Sequence, residues 1–363
     1  MKKLMHQIRT PVKRESASRY LSLTLISFAL SVIGTRSFLQ VANFPQIASG
    51  QIHIAHVLFG GILLFTASIL PLILANRSIL VLSAIFSGLG IGLFIDEVGK
   101  FITQSNNYFY PPAMPIIYAF FLLTVLIYLE VRKKTHANPR ADLYRSLDSF
   151  SEILDYDLEP HELNDLQERL KSVAGSKDSP ELVSLAKSLL SFLESKDIIT
   201  VPDNKTIIDR IILKISEIEE KYVKKGIFKA VLIIGLTLTG FVSILDLIRS
   251  YSAFSSYQEL YDLLTRLIAS GIEINDISIY WFFVRLILEA IVGVALILSA
   301  FLIAKGSELR GSSLAFIGIL LSLTCVNLLV FYFDQTGAFL STCGQLILFL
   351  MVFRFRQKYL FSS

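Results

Sequence analysis

The strongest constraint on this chain is a series of long apolar runs, because about 18 or more apolar residues in a row are enough to cross the hydrocarbon core of a bilayer. Eight candidate runs can be read at 20–34, 54–75, 78–95, 112–130, 227–248, 280–303, 314–332 and 338–353. Only 18% of the residues are charged and 53% are hydrophobic, whereas soluble domains have roughly 25% and 45–50%. The sequence therefore predicts an all-α, polytopic transmembrane bundle of about eight helices and excludes a soluble fold.

Lysine and arginine are distributed unevenly over the segments that connect these runs. Alternate connections carry almost all of them, and the opposite side holds only Arg36, Lys100, Arg249 and Arg266. The positive-inside rule then places both termini in the cytoplasm of a multi-pass cell-membrane protein. We interpret the first run as a retained span, since no small-residue cleavage site of a signal peptide follows it.

The pattern predicts a four-span unit over 1–130, a cytoplasmic helical domain over 131–226 and a second four-span unit over 227–363. In the middle segment, helices are expected to begin near Asn138-Pro139, after Glu159-Pro160, at Ser179-Pro180 and at Asp203-Asn204. This segment has no phosphate-binding loop, metal-ligand spacing or nucleophile motif. We interpret it as a packing domain or a docking domain for a cytoplasmic protein partner. Apolar residues at helical spacing also predict an outer amphipathic helix near 254–270.

A weak similarity links the two four-span units. Asp96, Gly99 and Phe101 have the same spacing as Asp334, Gly337 and Phe339, and the pair His56 and Gly60 has the same spacing as Glu289 and Gly293. Because each unit has an even number of spans, two copies would be parallel, related by an axis along the membrane normal. The alternative is chance similarity among helices rich in Leu, Ile and Phe.

Ionisable residues in or beside a span are costly in lipid and commonly face protein or water. Here they cluster near the predicted outer side, in a candidate polar site made of His56, Asp96, Glu97, Lys100, Arg285, Glu289 and Asp334. We expect Asp96 to face inward to His56, and Glu97 to face the headgroups or Lys100. Asp96 and Lys100 would share a face if their helix continues, and Arg285 and Glu289 are predicted to form an internal ion pair.

Other ligand classes find little support in the sequence. His53 and His56 have no third histidine on the outer side, and Cys325 and Cys343 lie in apolar runs, so we expect no metal and no cofactor. A net charge of +4 is too small and scattered to indicate nucleic acid. The lipid bilayer is the expected partner.

One segment resembles a known family. Residues Gly92 to Thr103 read Gly-Leu-Phe-Ile-Asp-Glu-Val-Gly-Lys-Phe-Ile-Thr, and Asn107-Tyr108-Phe109-Tyr110 and a proline follow. This is similar to a family of uncharacterised prokaryotic multi-pass membrane proteins, in which Asp-Glu, Gly-Lys-Phe, Asn-Asp-Tyr-Phe and Pro occur in that order. The stretch 153–162 also resembles a helical segment of that family. The resemblance implies a membrane protein over most of the chain, and it implies no activity.

Three classes of function follow from these observations. The first is the binding or passage of a small solute, ion or lipid at the outward-facing polar site. The second is a membrane-embedded enzyme that uses Asp96, Glu97 and His56 for acid–base chemistry, although no complete catalytic constellation is present. The third is a structural or signalling protein whose cytoplasmic domain docks a partner. No catalytic residue is assigned.

Overall fold

The structure is a computed structural model. It describes residues 11–41, 48–49, 52–53, 56–104, 107–108, 110–133, 138–176, 180–195, 198–201, 225–253, 256–269, 272–335 and 337–360.

The chain is an all-α membrane protein, and the described residues contain eight helices that are long and apolar enough to cross a bilayer. The first four of these spans are α1 (Ala17–Val41), α2 (His56–Ile73), α3 (Arg77–Asp96) and α5 (Ala113–Arg132). The other four are α9 (Lys225–Ser252), α11 (Asp276–Ala304), a seventh span built from α12 (Glu308–Leu321) and α13 (Asn327–Phe333), and α14 (Gly337–Tyr359). The prediction of eight spans is confirmed, while the first and last are longer than expected from their apolar runs.

Shorter elements connect the spans. They are the paired strands β1 (Ala48–Ser49) and β2 (Ile52–His53), the helix α4 (Val98–Ile102), three helices of the middle segment, α6 (Pro139–Asp155), α7 (Pro160–Ala174) and α8 (Pro180–Ser195), and α10 (Tyr257–Ala269). Each of the three middle helices begins at a proline, as predicted. Asn138 caps α6 by accepting hydrogen bonds from the next backbone N–H groups, and Glu159 and Glu162 form a capping box on α7. The predicted fourth helix at 203–224 lies outside the described residues.

The chain divides into two compact units, and the first comprises residues 1–96 and 123–210. In its membrane part, α1 and α2 both pack against α3. Glycines permit this close approach, since a Cβ atom on Gly88 would collide with Thr24 and Ser27 of α1. Small residues are the usual means of packing helices closely in lipid. Helices α6, α7 and α8 enclose a separate apolar core, formed by Leu143, Leu166, Leu170, Val173, Ala186 and Leu193.

The second unit comprises residues 97–122 and 211–363. Here α9 and α12 both pack against α11, and α9 crosses α11 where Gly240 meets Gly293. The end of this unit where α9 begins is tied together by Lys229, whose Nζ lies 3.1 Å from Glu308 Oε1, and by Phe228 stacked on Phe355.

A π-turn over Ser322–Val326 joins α12 to α13. The backbone N–H of Asn327 donates to Ser322 O, five residues back, so the ordinary α-helical bond to Leu323 O is not made. The hydroxyl of Tyr118 donates to Leu323 O instead, at 2.6 Å. Asn327 is buried, and its side-chain amide donates to Thr342 and Gln345 of α14 at 3.0 Å each. The π-turn therefore joins three spans through polar contacts.

The central helix differs between the two units. It is α3, the third span, in the first unit, and α11, the sixth span, in the second. Two copies packed identically would place equivalent spans at the centre. The internal repeat stays a prediction.

Candidate functional site

Three charged or titratable side chains of the first unit meet at the end of α3. Asp96 is completely buried. Its Oδ1 accepts a hydrogen bond of 2.6 Å from Nε of Arg36, in the last turns of α1, and its Oδ2 lies 3.2 Å from Nε2 of His56, the first residue of α2. We call Arg36, His56 and Asp96 the Asp96 cluster. The cluster links the three spans at the point where α1 and α3 end and α2 begins.

The structure brings Asp96 and His56 together, as the sequence predicted, and it adds Arg36. Both oxygens of Asp96 are engaged by cationic or titratable groups, and no part of the side chain is exposed. Burying a carboxylate without such partners would be costly, so removing either partner should destabilise the packing of the three spans. This closed geometry suits an internal ion pair better than acid–base chemistry on a substrate.

Glu97 and Lys100 form a separate pair in the second unit. Asp96 and Lys100 would have shared a face only in a continuous helix, and that condition is not met, because α3 ends at Asp96 and α4 begins only at Val98. Across this break, Lys100 Nζ lies 3.3 Å from Oε1 of Glu97, which is also buried. The ammonium group lies 5.5 Å from the centre of the Tyr108 ring as well.

Gly99, which lies between Glu97 and Lys100 in the sequence, is a glycine for a steric reason. A Cβ atom on Gly99 would lie 2.8 Å from the carbonyl oxygen of Asn107 and 2.9 Å from that of Tyr108. The chain after α4 thus folds back tightly against it. Thr103 secures the turn, since its hydroxyl donates to Gly99 O and accepts from the N–H of Asn107.

The remaining predicted residues lie in the second unit. Arg285 Nε donates to Oε2 of Glu289 at 3.0 Å, and both side chains are mostly buried, so they form the predicted internal ion pair. Asp334 is exposed, and its Oδ1 accepts from the N–H of Gly337 at the start of α14. Asp334 therefore caps a helix, whereas Asp96, its counterpart in the predicted repeat, is a buried ion-pair partner.

An open cleft of about 870 Å³ lies in the second unit, between the beginnings of α5 and α11 and the end of α13. Its walls are mainly apolar and aromatic, and its polar residues come from the segments next to the spans. The lining residues are Thr103, Asn107, Tyr110, Pro111, Pro112, Pro115, Ile116, Ala119, Glu273, Asn275, Ile277, Ser278, Trp281, Leu328, Leu329 and Tyr332. We call it the outer cleft, since the charge distribution predicts these ends of the spans to be outermost.

The outer cleft combines features of a small-molecule site. Its volume is in the usual range of roughly 300–1,000 Å³. Ile116 and Ala119 extend the apolar wall into the span, because Ala119 lies six residues beyond the start of α5, which is about 9 Å along the helix. Glu273 is the one charged residue among the described residues that line it.

Sequence reasoning did not identify this cleft. The segment that includes Tyr110 entered that reasoning only through the family resemblance, and was not connected with Trp281 or Tyr332. The sequence signal that could have indicated the cleft is the group of aromatic residues and prolines beside a predicted span end. The three segments are far apart in the chain, and a single sequence does not show which spans are neighbours.

In comparisons with known proteins, no family model, no curated protein and no solved structure matches the chain. Among the described residues, no three His, Cys, Asp or Glu side chains are arranged as a metal site.

Proposed function

We propose that this protein binds an amphipathic, lipid-like molecule in the outer cleft, from the outer side of the cell membrane. One observation carries the proposal: the cleft has a deep apolar wall and a polar mouth. Ile116, Ala119 and Leu329 would contact an acyl chain, while Asn107 and Asn275 offer hydrogen bonds to a headgroup. Trp281 and Tyr110 belong to the aromatic residues that favour the membrane interface.

The charge of the mouth favours one class of headgroup. Glu273 is exposed and is the single charged side chain of the described lining. A carboxylate there attracts an ammonium group and repels a phosphate whose charge no ammonium group compensates. The preferred ligand is therefore zwitterionic or cationic, such as a phosphatidylcholine or a phosphatidylethanolamine, and an anionic phosphatidylglycerol should bind less tightly.

The opposite end of the second unit supports binding from one side. Glu308 is paired with both Lys225 and Lys229, at 3.0 and 3.1 Å. Phe355 packs against Phe228 and Tyr359 in the same region. These contacts hold α9, α12 and α14 together. An arrangement that is closed at one end and grooved at the other suits a binding site better than an open pore.

The single tryptophan of the sequence lies in the cleft and can report occupancy. The purified full-length protein, in detergent, would be titrated with phosphatidylcholine brominated on its acyl chains. We expect saturable quenching of Trp281 fluorescence. Ala119→Phe should fill the apolar wall and weaken this binding about tenfold, which corresponds to 1.4 kcal/mol. Glu273→Gln should reduce the preference for phosphatidylcholine over brominated phosphatidylglycerol.

Ile317→Phe is the matched control, because Ile317 is an exposed apolar residue of α12 that does not line the cleft. It should bind the brominated lipid like the wild-type protein. Non-saturable quenching, or equal quenching in the Ala119→Phe and Ile317→Phe variants, would mean that Trp281 senses only bulk lipid and would refute the proposal.

A second candidate function is signalling through the middle domain to a cytoplasmic partner. It is favoured by the contact of Arg77, the first residue of α3, with Glu152 of α6 and with Glu162 of α7. Limited proteolysis of the full chain with and without phosphatidylcholine tests it. Signalling requires that lipid changes cleavage within residues 138–195, and that Arg77→Gln abolishes the change. An identical cleavage pattern under both conditions would refute it.

The family resemblance of 92–110 is also kept as a proposal. It is supported by the specific contacts of residues in that segment, namely Asp96 with Arg36 and His56, Glu97 with Lys100, and Gly99 with the following turn. A related chain should therefore keep an aspartate, a glutamate, a glycine and a lysine at the positions of Asp96, Glu97, Gly99 and Lys100.

A further inference from the structure

The helical middle domain of the first unit is held against the beginning of α3 by polar contacts. The side-chain amide of Asn76, the residue just before α3, donates to both carboxylate oxygens of Asp155 at 3.1 Å each. One turn earlier on α6, the buried Glu152 contacts Arg77. These contacts fix the last turn of α6 beside the short connection between α2 and α3.

The lengths of α2 and α3 place that connection at the membrane surface. The two helices have 18 and 20 residues, or about 27 and 30 Å, and the hydrocarbon core is roughly 30 Å thick. Helices that are just long enough to cross cannot extend their joined ends far into the water. Asn76 therefore lies at the level of the lipid headgroups, and so does Asp155.

Two large apolar side chains flank Asp155 and are exposed in the protein. Leu154 is 79% exposed and Tyr156 is 67% exposed. Tyr156 ends α6 in the left-handed region, with φ of 55°, a conformation that is easier for glycine. Its N–H bonds to Glu152 O and Ile153 O, so the position of the residue is well defined. The turn thus presents a tyrosine at a place where a smaller residue would form the cap more easily.

We propose that Leu154 and Tyr156 insert into the headgroup region of the leaflet on this side of the membrane and anchor the middle domain to the lipid surface. The occupant of this exposed surface is lipid rather than a second protein, because it continues the lipid-facing surface at the end of α2, where Ile73 is also exposed. A tyrosine at this depth can keep its ring in the apolar boundary and its hydroxyl in water. This anchor does not depend on the function proposed for the outer cleft.

Spin labelling of the full chain in lipid nanodiscs tests the anchor. In a background with Cys325→Ala and Cys343→Ala, nitroxides would be attached after Leu154→Cys, Tyr156→Cys or, as control, Lys187→Cys on the exposed polar face of α8. Power saturation compares collisions with oxygen, which concentrates in lipid, and with a water-soluble nickel chelate. We expect the oxygen-to-nickel ratio at positions 154 and 156 to exceed that at position 187 several-fold.

Two results would overturn the proposal. Equal ratios at all three positions would place the turn in water. Low accessibility to both reagents, with an immobilised spectrum, would show that position 154 or 156 is covered by protein, either a second copy or another part of the chain. All three sites are exposed, so the variants should fold alike, and their size-exclusion profiles would verify this.

Discussion

Asp96 receives two partners from two other spans, α1 and α2. Arg36 and His56 are 60 and 40 positions earlier in the sequence, yet each contacts a different oxygen of the same carboxylate. Glu97, its neighbour, forms an ion pair with Lys100, three residues away in the sequence. Neutralising Asp96 therefore removes the carboxylate partner of Arg36, whereas neutralising Glu97 removes that of Lys100.

We expect Asp96→Asn to destabilise the protein more than Glu97→Gln. The first change leaves the guanidinium of Arg36 in a buried place without its carboxylate, and breaking a buried ion pair costs about 3–5 kcal/mol. The second leaves a lysine that is partly exposed to water. The thermal unfolding midpoint in detergent, followed by size exclusion, measures both. Glu130→Gln is the control, because its partner Lys133 is 70% exposed and such pairs contribute about 0–1 kcal/mol. Equal midpoints for Asp96→Asn and Glu130→Gln would contradict this prediction.

Tyr118→Phe tests the polar contact at the π-turn. The buried carbonyl of Leu323 would lose its hydrogen bond, and an unsatisfied buried acceptor costs about 1–3 kcal/mol. The same thermal assay should show a lower midpoint than that of Tyr280→Phe, which removes a hydroxyl from a 63% exposed side chain. A Tyr118→Phe protein as stable as the control would mean that the contact contributes nothing.

At the scale of elements, α2 and α3 approach each other through glycine on both helices. A Cβ atom on Gly60 would lie 2.8 Å from the backbone N of Phe94 and 2.9 Å from the carbonyl of Gly90. The adjacent Gly61 has open space around it. The two neighbouring glycines thus differ in whether the helix crossing requires them.

Gly60→Ala should separate α2 from α3 and lower the thermal midpoint, since overpacking costs about 1–3 kcal/mol. Gly61→Ala should be neutral or stabilising by up to about 1 kcal/mol, because alanine favours the helix and meets no neighbour. Comparing the two variants under the same conditions removes the effect of helix propensity. If Gly61→Ala proved the more damaging change, the described crossing of α2 and α3 would be incorrect.

At the scale of the whole molecule, the charge distribution predicts which side each connection faces. We expect a cysteine at position 104 to react with a membrane-impermeant maleimide on intact cells, and a cysteine at position 171 to react only after lysis, because Lys and Arg concentrate with the middle segment. The parent would carry Cys325→Ala and Cys343→Ala. Labelling at position 171 from outside would reverse the topology, and the outer cleft would then face the cytoplasm.

The spans could be predicted because hydropathy depends on each stretch alone. The starts of α6 and α7 were equally accessible, since Asn138-Pro139 and Glu159-Pro160 are local signals. The meeting of Asp96 with His56 followed from the need to pair buried charge. Arg36 was missed as a partner because a single sequence does not give the rotation of one span against another. The π-turn was missed because one extra residue in a helical turn does not change the hydropathy of an apolar run.

The connection between α2 and α3 is only three residues long, from Ile73 to Arg77, and this has a consequence for biosynthesis. In the orientation that the lysines and arginines predict, this connection stays on the cytoplasmic side, so the Asp96 end of α3 has to pass across the bilayer after α2 has formed its span. An aspartate within the membrane costs roughly 2.5–3.5 kcal/mol on insertion scales. The ribosome delivers Arg36 first, His56 second and Asp96 last. The carboxylate therefore completes its crossing where both of its partners are already in place.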